Sequence, residues 1–198
     1  MFAFDGCLLS ETGYRRLALG DWLWATGFRR LAAVMFEREL TERAQRLLAK
    51  LRGRGLSIAT AESCTGGLIA ALLTEIPGSS DVVDRGFVTY SNQAKIDMLG
   101  VAAETLDSVG AVSRETALAM AAGALANSAA GIAVAVTGVA GPGGGSPDKP
   151  VGLVHLAVQR SGLRPRHYEA RYGDCGRSLV RIATVRTALD MLFEELET

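Results

Sequence analysis

Three polar groups stand at the ends of apolar runs, and each is of a kind that takes part in acyl transfer. Ser63 follows Leu56-Ser-Ile-Ala-Thr-Ala-Glu62, Tyr90 closes Arg85-Gly-Phe-Val-Thr-Tyr90 with Lys95 five residues on, and Thr137 and Gly138 close Gly131-Ile-Ala-Val-Ala-Val-Thr137. A serine hydroxyl attacks a carbonyl only when a base removes its proton. The chain has 2 histidines, and neither is well placed by pattern: His155 falls inside an apolar strand and His167 on an outer hairpin. A lysine serves as the base when burial lowers its pKa toward neutrality. Of Lys50, Lys95 and Lys149, only Lys95 adjoins an expected strand end.

Each residue also has an ordinary reading. Ser63 could simply cap a helix, Lys95 could be a solvated helix lysine, and Tyr90 a packing residue. Cys64, beside Ser63, is a second candidate nucleophile or a small buried thiol. Gly66 and Gly67 let a ligand or a developing oxyanion approach the backbone. The N–H groups near Thr65, Gly66 and Gly67 open a helix and suit negative charge. The stretch Gly138-Val-Ala-Gly-Pro-Gly-Gly-Gly-Ser-Pro147 lacks the lysine-serine ending of a P-loop and the spacing of a dinucleotide fingerprint. It is either a surface loop or backbone lining a phosphate or sugar pocket. Arg177, opening the last helix, could meet a phosphate bidentately or face solvent.

The elements that must position these groups follow from periodicity. Apolar residues at 40, 44, 47, 48 and 51 predict an amphipathic helix over 36–51. A strand over 56–61 turns into a helix from Leu68 that ends before Pro77-Gly78. A strand over 85–90 leads to a short helix, 93–99, capped by Ser91-Asn92 and closed by Gly100. Ser113 caps a helix from Arg114 to about Asn127. The run 131–137 suits a strand buried on both faces. Strand 151–159 pairs with 166–172 as a hairpin, and a last helix runs over 177–195. Strands alternating with helices indicate an α/β domain with helices on both faces of the sheet. In such sheets ligands bind at the carboxyl ends of strands, so Ser63, Tyr90, Lys95 and Thr137 are expected to share one crevice.

Composition narrows the function class. The 198 residues are 48% hydrophobic, enough for one domain with a sizeable core. Lys+Arg and Asp+Glu are 21 each, so no basic excess points to nucleic acid. The 3 cysteines, Cys7, Cys64 and Cys175, are far apart and suggest neither a zinc site nor a disulfide framework. A reducing cytoplasm fits, and no run is long enough to span a membrane. Residues 1–34 read differently: Trp22 and Trp24, paired arginines and weak periodicity mark an N-terminal extension, with Met35 an alternative start of a 35–198 domain. Asp21 and Arg29-Arg30 argue against a signal peptide there.

Taken together, several segments resemble the CinA C-terminal domain family, whose stand-alone members are nicotinamide-nucleotide amidohydrolases. They are Ala61-Glu-Ser-Cys-Thr-Gly-Gly67, Gly86-Phe-Val-Thr-Tyr-Ser-Asn-Gln-Ala-Lys95, Gly110-Ala-Val-Ser113, Ala135-Val-Thr-Gly-Val-Ala-Gly-Pro-Gly-Gly-Gly145 and Lys149-Pro-Val-Gly152. The likeness covers roughly 38–196 and leaves out the separate N-terminal domain of full-length members. It implies a three-layer α/β/α sandwich and hydrolysis of the carboxamide of nicotinamide mononucleotide to nicotinate mononucleotide and ammonia, without metal or cofactor. It further implies Ser63 as nucleophile, Lys95 as base and Tyr90 as assistant. The substrate would be held by Thr65, Gly66, Gly67, Thr137, Gly138, Gly141 and Arg177. The family's last motif is G-D-R; here it reads Gly173-Asp-Cys-Gly-Arg177, with two extra residues before the arginine.

The resemblance leaves other expectations open. The same pocket without turnover would make a nucleotide-binding module in competence or damage response, and a related pyridine amide would change only the substrate. A small-molecule nucleotide is the expected partner, with no nucleic acid and no membrane. The alanine-rich helices leave room for a homo-oligomer interface.

Overall fold

The computed structural model describes residues 35–198. The expected extension over 1–34 lies outside the described residues. From Arg38 onward the chain alternates helices and strands around one five-stranded sheet of order β2-β1-β3-β4-β5. The strands are β1 (Ile58–Glu62), β2 (Val83–Val88), β3 (Ile132–Gly138), β4 (Leu153–Arg160) and β5 (Arg166–Arg171). β1 runs parallel to both β2 and β3, while β4 is antiparallel to β3 and β5 to β4. The helices are α1 (Arg38–Gly53), α2 (Leu68–Thr74), α3 (Asn92–Leu99), α4 (Ala103–Val109), α5 (Arg114–Ala126) and α6 (Arg177–Glu195).

Small residues on one sheet face decide how close the helices come. Successive strand residues point to opposite faces, so Ala59 and Ala61 of β1, Ala133 and Ala135 of β3 and Ala157 of β4 share a face. Against this shallow surface lie Ala117, Met120, Ala121 and Ala124 of α5, with Leu99 and Leu106 from α3 and α4. The approach is close enough that a Cβ on Gly123 would fall 1.9 Å from the Leu99 carbonyl oxygen. On the opposite face α6 packs on β3 and β4, α2 on β1 and β2, and α1 on both helices. Leu47, Leu48 and Leu51 of α1 are buried, each contributing about 2 kcal/mol of apolar transfer. The result is the expected three-layer α/β/α arrangement.

Register places the site. Glu62 is paired with Val88 on one side and Val136 on the other, so the carboxyl ends of β1, β2 and β3 lie level. Ser63, Thr89 and Thr137 therefore follow side by side on one edge of the sheet.

Two differences from the sequence reading matter. β1 includes Glu62, and β2 spans Val83–Val88 rather than 85–90, which leaves Thr89 and Tyr90 beyond the strand. The helix α4 was not expected: it is 7 residues long, its N-cap Ala102 offers no side-chain bond, and Leu106 is its one buried residue.

Candidate active site

Ser63 and Lys95 meet because two independent local features aim them at each other. Ser63 follows the last residue of β1, and its N–H donates to Val136 O at 3.0 Å, fixing it to the neighbouring strand. Ser91 caps α3, its hydroxyl accepting from Ala94 N–H at 3.0 Å. The cap sets the helix so that Lys95 and Leu99, four residues apart, are its buried face. Lys95 is 1% exposed, and its Nζ lies 3.1 Å from Ser63 Oγ and 2.8 Å from Thr89 O. None of the ion pairs among the described residues includes Lys95. Burial lowers its pKa below the usual lysine value, with Cys64 acting weakly the other way. A neutral amine donating to Thr89 O has a lone pair left for the Ser63 proton, as a general base needs.

The turn after Ser63 differs from the sequence reading. Gly66 and Gly67 do adopt left-handed backbone, with φ of 58° and 93°. Two of the N–H groups expected to face a ligand, those of Gly66 and Gly67, are however taken. Gly66 N–H donates to Ser63 O at 3.0 Å. The buried carboxylate of Glu62 folds back and accepts from Gly67, Ile69 and Ala70 at 3.1, 3.0 and 2.8 Å. The N-terminus of α2 is thus capped from within. Cys64 and Thr65 N–H make no backbone bond among the described residues and lie close to the buried Cys64 sulfur. Thr65 itself is buried, with its hydroxyl unpartnered within the described residues.

Across the crevice the last helix supplies two arginines one turn apart. Arg177 donates to Gly141 O at 3.0 Å and to the Tyr90 hydroxyl at 2.7 Å. The glycine loop, Tyr90 and Arg177 therefore converge despite the longer spacing of the last motif. Tyr90 is 59% exposed, and among the described residues its hydroxyl is bonded to Arg177 and makes no hydrogen bond to Ser63 or Lys95. Arg181, overlooked as a site residue, donates to Thr65 O at 2.6 Å and so holds the nucleophile turn from the opposite side. Its position four residues after Arg177 on a helix was the available signal. The Thr137 hydroxyl is buried and donates to Ala111 O at 2.7 Å, and Gly138 passes so close to β4 that a Cβ would lie 2.7 Å from Leu153 O.

The competing candidates fall elsewhere or are chemically quiet. Burial pushes the Cys64 thiol up to about 12, Glu62 adding to the effect while Arg181 and nearby backbone N–H groups oppose it. A thiol so protonated is a poor nucleophile near neutrality. His155 Nδ1 and His167 Nε2 lie 3.0 Å apart and pair with each other between β4 and β5. A groove of about 300 Å³ between β5 and α6, lined by Arg166, Tyr168, Asp190 and Met191 among others, contains none of the converging residues. Among the described residues no cluster of three or more metal-ligating side chains occurs, and no helix is long and apolar enough to cross a membrane.

Comparison with known proteins bears on this geometry. Residues 40–196 match the family model of the CinA C-terminal domain. A CinA-like protein of Chloroherpeton thalassium is 63% identical over 111 residues, which is 56% of this chain and 26% of that protein. A CinA-like protein of Citrifermentans bemidjiense is 48% identical over 170 residues, 85% of this chain and 40% of that protein. The chain thus spans well under half the length of these relatives. The crystal structure of the competence/damage inducible protein CihA from Agrobacterium tumefaciens superposes with a TM-score of 0.81 at 61% identity, covering 83% of this chain and 99% of that one.

Proposed function

The chain belongs to the CinA C-terminal domain family, and on that footing we propose that it is an amidohydrolase that deamidates nicotinamide mononucleotide. One observation carries the reading: a buried lysine with no ion-pair partner among the described residues stands 3.1 Å from a serine hydroxyl at the carboxyl edge of the sheet. That is the arrangement of an activated nucleophile and its base.

The chemistry then runs in two halves. Neutral Lys95 takes the Ser63 proton as Oγ attacks the carboxamide carbon, which the electron-poor pyridinium ring activates. The oxyanion is received by backbone N–H groups of the turn after Ser63; a single such donor is worth about 3–4 kcal/mol in comparable sites. The lysine's new proton goes to the departing nitrogen, and ammonia leaves an ester on Ser63. Water, deprotonated by Lys95, attacks that ester. Nicotinate mononucleotide departs, and the proton returns to Ser63. Arg177, set between Tyr90 and the glycine loop, supplies a planar fork for the ribose phosphate. Tyr90 serves by orienting that fork.

The test is ammonia release from nicotinamide mononucleotide by wild type beside Ser63→Ala. Turnover that vanishes in the variant is the expected result. A folded wild-type protein that binds the nucleotide and releases no ammonia would overturn the reading in favour of a binding module.

A further inference from the structure

Glu62 places a buried carboxyl group next to the nucleophile, yet the proton transfers above do not use it. It ends β1 and is 0% exposed. None of the ion pairs among the described residues includes it. Its two oxygens are instead held by three backbone N–H groups: Oε2 accepts from Gly67 and Ile69, and Oε1 from Ala70. Three hydrogen bonds to one carboxyl group make a firm local tie.

What they fasten is the segment that aims Ser63. That turn contains two consecutive glycines with positive φ, and glycine backbone is the freest to rearrange. Glu62 ties its helical side to the end of β1, while Arg181 ties Thr65 O to α6. Between these ties lies Ser63.

We propose that Glu62 is a positioning residue: by capping Gly67, Ile69 and Ala70 it holds the turn in the shape that sets Ser63 against Lys95. The proposal rests on the reading of Ser63 as an activated nucleophile. A glutamine has the same volume but one carbonyl oxygen. Whichever way its amide is turned, an NH2 faces N–H groups that the carboxylate accepts from.

Glu62→Gln is compared with wild type in two assays: the rate at which a fluorophosphonate modifies Ser63, followed by intact mass, and kcat and KM for nicotinamide mononucleotide. Expected is a loss of about 10²-fold in both labelling rate and kcat, the scale of a displacement near 1 Å, with KM within about threefold. Labelling and kcat equal to wild type would overturn the proposal, as would a raised KM at unchanged kcat. If wild type is labelled but releases no ammonia, the substrate reading fails and the labelling ratio alone decides. If wild type is not labelled, both readings fall. Should Glu62→Gln not fold, amide hydrogen exchange in wild type decides. Gly67, Ile69 and Ala70 N–H protected together is the expected result; exchange at the rate of open amides overturns it.

Discussion

Lys95 reaches Ser63 across 32 residues of sequence, its Nζ 3.1 Å from the hydroxyl and 2.8 Å from Thr89 O. The two acceptors come from the ends of adjacent parallel strands, tied by a 2.8 Å bond from Thr89 N–H to Glu62 O. The lysine is thus held against a rigid corner of the sheet, in a setting that disfavours its charge. Lys95→Ala should lower kcat by about 10²–10⁴-fold, the usual worth of a general base. Lys95→Arg should not restore it, because a guanidinium stays charged. The limiting rate of ammonia release checks both, and activity near wild type in either variant would remove Lys95 as the base.

The same burial sets two pH dependences. Catalysis needs the neutral amine, so kcat/KM should rise with pH through the folded-state pKa of Lys95, which lies below its ordinary 10.5. Stability has the matching sign. Between the two pKa values the unfolded chain binds a proton that the folded chain does not, so stability rises with pH across that window and the penalty is complete below it. Lys95→Met should therefore be more stable than wild type near neutrality, with the gap closing toward alkaline pH. Urea midpoints across pH measure it; a gap independent of pH would contradict the assignment.

Arg177 offers a handle on substrate recognition. Hydrogen bonds to charged groups are worth about 1.5–3 kcal/mol, so Arg177→Ala should raise KM for the mononucleotide by about 10–100-fold. Its effect on the unphosphorylated riboside should be small. The ratio of kcat/KM for the two substrates is the readout, and a variant that penalises both equally would place the phosphate elsewhere. Arg177→Lys should recover little, since an ammonium cannot bridge Tyr90 and Gly141 as the guanidinium does.

Much of this was legible in the sequence, for physical reasons. The helical period of α1 and α6, the serine caps of α3 and α5, and the doubly buried run of β3 each report on local structure, and each appears as expected. Ser63 and Lys95 could be singled out because parallel strands gather their carboxyl ends. What stayed hidden depends on side-chain direction. Whether Glu62 turns inward to cap α2 follows from the φ angles at Gly66 and Gly67, which no periodicity encodes. The pairing of Tyr90 with Arg177 depends on β2 ending at Val88 rather than at the tyrosine. Arg181 drew no attention as a site residue in the sequence, since its partner is a carbonyl in a distant turn.

Gly123 links packing to the site. In an exposed helix interior Gly→Ala gains about 1 kcal/mol from propensity. Here the added Cβ would lie 1.9 Å from Leu99 O and 2.9 Å from Leu99 Cβ. The clash is with backbone at the end of α3, so relief requires α3 or α5 to move. Overpacking of this kind costs about 1–3 kcal/mol and should outweigh the propensity. Because α3 carries Lys95, Gly123→Ala should lose activity as well as denaturant resistance. A variant that is more stable and fully active would show that the helices part freely.

The choice between neighbouring nucleophiles can be read chemically. With its thiol pushed up to about 12, Cys64 is overwhelmingly protonated at pH 8, and its sulfur is buried besides. Iodoacetamide should modify exposed Cys175 and leave Cys64 intact in the folded protein. Cys64→Ala removes little volume and no proton carrier, so ammonia release should stay within about threefold of wild type, while Ser63→Ala removes it. Mass spectrometry of the alkylated peptides and the two rates together discriminate. Rapid alkylation of Cys64 with loss of activity would transfer the nucleophilic role to the thiol, and Lys95 would then serve to draw off the proton of sulfur rather than oxygen.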